Sequence, residues 1–160
     1  MNFNHFDETG NAIMVDVSPK QPTLRTAIAE ATVYLTPELL AAILTGGMAK
    51  GDVLGVARLA GIMAAKRTPE LIPLSHPLAL HSISVDFEPD RKAGQIRVKC
   101  MVRALERTGV EMEAMTGASL AALTIYDMCK GSDKSISISD IRLLFKEGGK
   151  SGVFRREEQP

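Results

Sequence analysis

Near the end of a long apolar stretch the chain reads LTIYDMCK, residues 123 to 130, which sets Asp127 and Lys130 three positions apart. On a helix such residues are neighbours, so a carboxylate and an ammonium group meet. A carboxylate in a last helical turn faces the partial negative charge of the C-terminal pole and partly buried surroundings. Both are expected to raise its pKa, with Lys130 offsetting part of the effect. A carboxyl group biased toward protonation beside an ammonium group is a candidate general acid/base pair; a plain i,i+3 ion pair is the alternative. Glu111 and Glu113 stand at the other end of the same stretch. There acids complement the positive pole by roughly 0.3 to 1 kcal/mol each. Glu113 and Asp127, 14 positions apart, share a helical face but are separated by about 21 Å along the axis. If both act on one substrate, a neighbouring subunit must bring one of them, which predicts an oligomer with interfacial sites.

Lys50 in KGDV precedes a helix start, where unpaired amides and the positive pole can hold phosphate, although Asp52 competes for those amides as a cap. Lys150 lies in GGKSG, residues 148 to 152, which is phosphate-loop-like but lacks the Walker spacing. It reads as a flexible closing tail or as a frayed terminus. His76 sits between Pro73 and Pro77 in PLSHPL, where an apolar wall can hold a neutral imidazole, as it also holds an ordinary core histidine. His81 follows, but no third ligand has zinc spacing. No acidic cluster demands a magnesium ion, so neither a protein-bound metal nor a cofactor is expected.

The totals exclude several classes. Lys+Arg and Asp+Glu each number 19, so no excess charge points to nucleic acid or an anionic membrane. The absence of Trp and an aromatic content of 4% argue against base-stacking platforms. Cys100 and Cys129 are too few and too scattered for a disulfide framework and form no Cys-x-x-Cys pair, so both are read as reduced core thiols. No secretory signal and no run of 18 apolar residues is seen, which places the expected compartment in the cytosol.

These side chains need a scaffold, and 160 residues suffice for one core, residues 1–160 as a single domain. Residues 1–23, polar and carrying Pro19 and Pro22, read as an extended arm, and about 148–160 as a flexible tail. LRTAIAEATVYL predicts a first strand. TPELLAAIL opens a helix with Thr36 as cap and Pro37 in the first turn, stopped by Gly46-Gly47. A second helix is capped by Asp52, carries Lys66 in its last turn and ends at Pro69. LIPLSHPLAL, with two prolines, should be an irregular connection. HSISVDFEP and GQIRVKCMVRAL alternate as paired strands around the turn PDRKAG. A third, buried helix runs from about Thr108 to Lys130, and SISISDIRLLFK supplies a last strand. The order fits an α+β, ferredoxin-like split βαβ fold, with an antiparallel sheet and helices packed on one face.

Taken together, MVDVS, KGDV, AGIMAAKRT, LIPLSHPL, TGVEMEAMTGASLAALTIYDMCK and GGKSG closely resemble the molybdenum cofactor biosynthesis protein C family, the cyclic pyranopterin monophosphate synthases. The likeness covers residues 14 to about 154, in the same order. It implies a ferredoxin-like subunit assembled as a homohexamer, a trimer of dimers, with sites between subunits. It also implies a lyase of molybdenum cofactor (molybdopterin) biosynthesis. Its small-molecule substrate would be a cyclised dihydro-GTP, 3',8-cyclo-7,8-dihydroguanosine triphosphate, and its products cyclic pyranopterin monophosphate and pyrophosphate. Carried onto matching positions, the catalytic acid falls on Asp127, with Lys50 and Lys130 as further catalytic candidates. Substrate contacts fall on Leu74, Ser75 and His76 and on Met112 and Glu113, with Glu111, Lys66, Arg25 and Lys150 around them. The family often has Cys where this chain has Ser75, so thiol chemistry there is not required. The rival expectation is an inert oligomeric module that binds a nucleotide or pterin; it leaves Asp127 without a purpose.

Overall fold

A computed structural model describes residues 5–48 and 50–157. Residues 1–4 and 158–160, the outermost parts of the expected arm and tail, lie outside the described residues. The elements run β1 (Thr23–Tyr34), α1 (Pro37–Thr45), α2 (Val53–Lys66), α3 (Thr68–Leu71), β2 (Leu80–Asp90), β3 (Gln95–Glu106), α4 (Glu111–Cys129), β4 (Ser137–Glu147) and β5 (Phe154–Arg155). The strands form one sheet in the order β2-β3-β1-β4-β5, and every neighbouring pair is antiparallel. This is the α+β ferredoxin-like architecture.

Strand pleating sorts the side chains. Ala27, Ala29, Ala31 and Val33 of β1 and Ile96, Val98, Cys100, Val102 and Ala104 of β3 are fully buried against the helices. Their alternates point to the other face, which carries Glu30, Thr32, Arg97, Lys99 and Arg142 around a cavity of about 370 Å³. There the Glu30 carboxylate, only 3% exposed, accepts from Arg142 Nε at 2.7 Å and lies 4.0 Å from Arg97 Nε. A buried carboxylate held by two guanidinium groups fixes the register of β1 against both neighbours.

Helix starts follow the local chemistry. Thr36 Oγ1 accepts the Leu39 amide at 3.3 Å with Pro37 in the first turn, and Gly46 closes α1 by donating to the Ala42 and Ile43 carbonyls. Asp52 Oδ1 accepts the Gly55 amide at 2.8 Å, so the start of α2 is already capped. Three boundaries differ from the sequence expectation. Pro69 does not leave irregular chain behind it but opens the single turn α3, where its missing N–H costs nothing. The buried helix α4 begins at Glu111, not Thr108, because Val110 is the flanking residue and offers no side-chain cap. Two residues beyond the glycine loop pair with Phe145 and Lys146 as β5, too short to leave a pattern in the sequence.

Helices α2 and α4 cross at glycine. A Cβ placed on Gly61 would lie 2.9 Å from the Gly117 carbonyl oxygen and 3.0 Å from Val85 Cγ2, and one on Gly117 would lie 2.5 Å from Cys100 Sγ. Small residues at this crossing let the backbones approach, and so set how α4 is rotated over the sheet. Cys100 and Cys129 are both buried and unbridged, as expected of core thiols, and burial pushes Cys100 up to about 12. Among the described residues no helix is long and apolar enough to cross a membrane. The crossing yields a prediction: Gly61→Val should destabilise the fold by roughly 2 kcal/mol or more through overpacking. That would be read as a lower urea midpoint at unchanged m; an unaltered midpoint would mean that the crossing is loose.

Candidate active site

Most of the residues singled out by the sequence form two groups, one at each end of α4. At the N-terminal end a cavity of about 490 Å³ is lined by Leu74, Ser75, His76, Glu111, Met112 and Glu113, with Lys20, Val15 and Thr108 completing its walls. The proline-flanked segment is irregular here, as its missing amide protons dictate. Its histidine is held in place by the N-terminal segment, since His76 Nε2 lies 2.7 Å from the Val15 carbonyl oxygen and donates to it. That bond fixes the orientation of the ring with Nε2 as the donor.

Two carboxylates of the first α4 turn take different environments. Glu111 accepts from Lys146 Nζ at 2.7 Å and is half-buried. Glu113 is 2% exposed, and its Oε1 has no partner among the described residues. Burial, with a smaller contribution from the Glu111 charge, pushes its carboxyl up to about 7. Both group and cavity lie at the positive pole of a helix, and a charged Glu113 still loses more hydration than the dipole returns.

At the C-terminal end Lys130 Nζ lies 2.6 Å from Asp127 Oδ1, and Lys50 Nζ donates to the Asp127 carbonyl oxygen at 3.0 Å. This corrects the sequence expectation for Asp127. Its carboxylate is 60% exposed, not partly buried. The hydrogen bond and charge of Lys130, then the charge of Lys50, hold its pKa below the ordinary aspartate value. Two ammonium groups outweigh the unfavourable pole. The same contact raises Lys130, so near neutrality the pair rests as carboxylate and ammonium. Lys50 does not sit over the start of α2 as a phosphate clamp there; it reaches across to the end of α4.

Some candidates stand outside both groups. Lys66 is exposed at the end of α2, and Lys150 is exposed in the loop between β4 and β5. Arg25 is 9% exposed and gives its Nε to the Glu106 carbonyl at 3.2 Å and its Nη2 to the Arg107 carbonyl at 3.3 Å. Among the described residues no three His, Cys, Asp or Glu side chains are grouped so as to hold a metal ion. Two basic residues that the sequence reasoning passed over belong to the first group: Lys20 in the cavity wall and Lys146 on Glu111. Lys146 was legible in principle as a charge on the helix-facing side of β4. Two register shifts between β1 and β4 break the alternation that would have exposed it.

Fourteen helical positions separate Glu113 from Asp127, about 21 Å along α4, so the two groups do not meet within one chain. A family model described as the MoaC family matches residues 14–149, which span both. The chain belongs to the MoaC family. It is similar along almost its whole length to proteins named cyclic pyranopterin monophosphate synthase. The one from Pelobacter propionicus is 82% identical over 158 residues, 99% of each chain. Those from Trichlorobacter lovleyi and Geobacter sulfurreducens are 72% and 69% identical, again over 99% of each chain. The family match thus covers His76, Glu113, Lys50, Asp127 and Lys130 alike.

Burial of Glu113 makes stability depend on pH with a defined sign. Its folded pKa, about 7, lies above its ordinary 4.5, so the folded state keeps the proton that the unfolded state releases. The contribution is full below pH 4.5 and is lost as pH rises to 7, by up to about 3 kcal/mol. Glu113→Gln should remove this slope and raise the melting temperature at pH 8 above that of the unaltered protein. Parallel stability curves for the two would refute a buried, proton-retaining Glu113.

Proposed function

We propose that this protein is a cyclic pyranopterin monophosphate synthase of molybdenum cofactor biosynthesis. It would act in the cytoplasm as a lyase on cyclised dihydro-GTP, yielding cyclic pyranopterin monophosphate and pyrophosphate. The observation that carries the reading is the separation of two chemically complementary half-sites by the length of one rigid helix. One is a concave pocket with a buried acid and an oriented histidine; the other is an exposed carboxylate between two ammonium groups. The full-length similarity to proteins of that name supports the same reading. A partner subunit, in a hexamer built as a trimer of dimers, brings the second half-site of one chain over the first half-site of its neighbour.

The residues divide the chemistry by their resting protonation. Opening the guanine-derived ring and rebuilding it as a pterin needs proton transfers. Asp127, held ionised, is the base, and Lys130, held protonated, supplies the proton and the positive charge. Glu113, which retains a proton up to about pH 7, donates a hydrogen bond or a proton from within the cavity. His76, fixed through Val15, orients the substrate against Leu74, Ser75 and Met112. Forming a cyclic phosphate while expelling pyrophosphate builds negative charge, which Lys50, Lys146, Lys66 and Lys150 stabilise. The reaction is proposed to need no protein-bound metal, so activity should survive exhaustive chelation of the protein.

Asp127→Asn should keep substrate affinity while kcat falls roughly 10²- to 10⁴-fold. If neither binding nor any activity depended on Asp127, the inert binding module would be the better description. The shared site has its own test. Chains carrying Asp127→Asn and chains carrying Glu113→Ala, each inactive alone, should regain about a quarter of full activity when unfolded together and reassembled at equal amounts. One pairing in four then joins two intact half-sites. No recovery would place the whole site within one chain.

A further inference from the structure

Arg25 is a nearly buried cation with no carboxylate within ion-pair distance among the described residues. A guanidinium in that position must spend its N–H groups on something, and here it spends them on main chain. Nε and Nη2 bracket the carbonyls of Glu106 and Arg107, at the end of β3 just before Thr108, which lines the cavity. The guanidinium lies against the turn that follows β4. A Cβ on Gly149 would fall 1.8 Å from Arg25 Nη1 and 2.5 Å from its Cζ, and one on Gly148 would fall 2.2 Å from the Leu24 carbonyl oxygen. Gly148 and Gly149 have positive φ, +102° and +71° respectively, so the turn is shaped to lie on the arginine. Lys146, which pairs with Glu111, stands two residues before this turn, and Lys150 directly follows it.

The same junction gathers the other walls of the cavity. Glu106 Oε1 accepts the Ala79 amide at 3.1 Å, which ends the segment bearing His76, and Arg107 Nε donates to the Lys20 carbonyl at 2.9 Å. Any shift of residues 106 and 107 therefore moves the N-terminal segment, the histidine segment and the start of α4 together. Building on the site proposed above, we propose that Arg25 is a positioning residue and not a substrate ligand. It braces the β3–α4 junction against the Gly148–Gly149 turn, so that Lys146 is kept on Glu111 at the cavity wall.

A lysine has one point charge and cannot bracket two carbonyls in a plane, so Arg25→Lys should fail to rescue what Arg25→Ala loses. In both variants amide exchange of the unliganded protein should rise by roughly tenfold in 106–110 and 147–153, and stay unchanged in α2. That readout needs no substrate, so it stands even if the reaction proposed for the site is wrong. With substrate, KM should rise roughly tenfold while kcat falls less than about threefold. Affinity for inorganic pyrophosphate, which probes a direct ionic contact, should change less than about threefold in the lysine variant. Gly149→Ala should reproduce the exchange pattern, and combining it with Arg25→Ala should add nothing further. Unchanged exchange in both loops with pyrophosphate affinity lost in Arg25→Ala and restored in Arg25→Lys would overturn the proposal in favour of a direct ligand. A folded fraction and kcat that fall together at unaltered KM would overturn it in favour of a purely structural brace.

Discussion

A straight helix cannot bring its two ends together, and that constraint organises this molecule. Helix α4 holds an acid in its first turn and another in its last, and the surroundings treat them oppositely. Glu113 is drawn into the protein, loses its water and keeps its proton to about pH 7. Asp127 stands in solvent, paired with Lys130 and with the Lys50 charge on its main-chain carbonyl, and gives its proton up below the ordinary range. Placing titratable groups so that their environments push them apart is how one protein assembles both an acid and a base at neutral pH. Here the separation in pKa is accompanied by a separation in space, which is why a second subunit enters the argument at all.

The packing beneath α4 is what gives each acid its environment. Buried residues on this helix are mostly small: Ala114, Gly117, Ala118, Ala121 and Ala122. They let α2 approach on one side and the sheet on the other, with the Gly61 and Gly117 backbones in near contact. With so little side-chain volume to slide on, rotation of α4 about its axis is costly. Glu113 therefore stays turned inward and Asp127 outward. The register of β1, fixed from the opposite face of the sheet by Glu30 and its two arginines, sets the platform on which α4 rests. It also sets the position of Arg25 five residues before Glu30.

How far these features were legible in the sequence depended on whether the signal was local. Caps are local: Thr36-Pro37 and Asp52 marked the starts of α1 and α2, and both are found in place. Period-two alternation is local too, so β2 and β3 could be read and their pairing expected. Where no capping side chain exists, as at Val110, the start of α4 was misplaced by a few residues. Where alternation is broken by register shifts, as in β4, the inward face of Lys146 was hidden. The environment of Asp127 was the largest miss. Its helix-pole argument was sound in sign, but it underweighted Lys130, assumed partial burial and took no account of Lys50. That residue lies 77 positions away along the chain and arrives only through the fold.

The same distinction explains why the helix pole does not decide the state of either acid. At the start of α4 the dipole favours a charged Glu113, worth at most about 2 kcal/mol, yet desolvation prevails because one buried carboxylate oxygen is unpartnered and a backbone amide compensates only in part. At the end of the helix the dipole opposes a charged Asp127, yet two ammonium groups prevail because the carboxylate keeps most of its water and loses little on pairing. In each case the dipole is the smaller contribution, and burial fixes the outcome. Enclosing Asp127 beneath a neighbouring subunit would strip that water while leaving its two cations in place. The pair would then be strengthened by the lower dielectric and would become the acid/base couple that the open surface of a single chain cannot sustain.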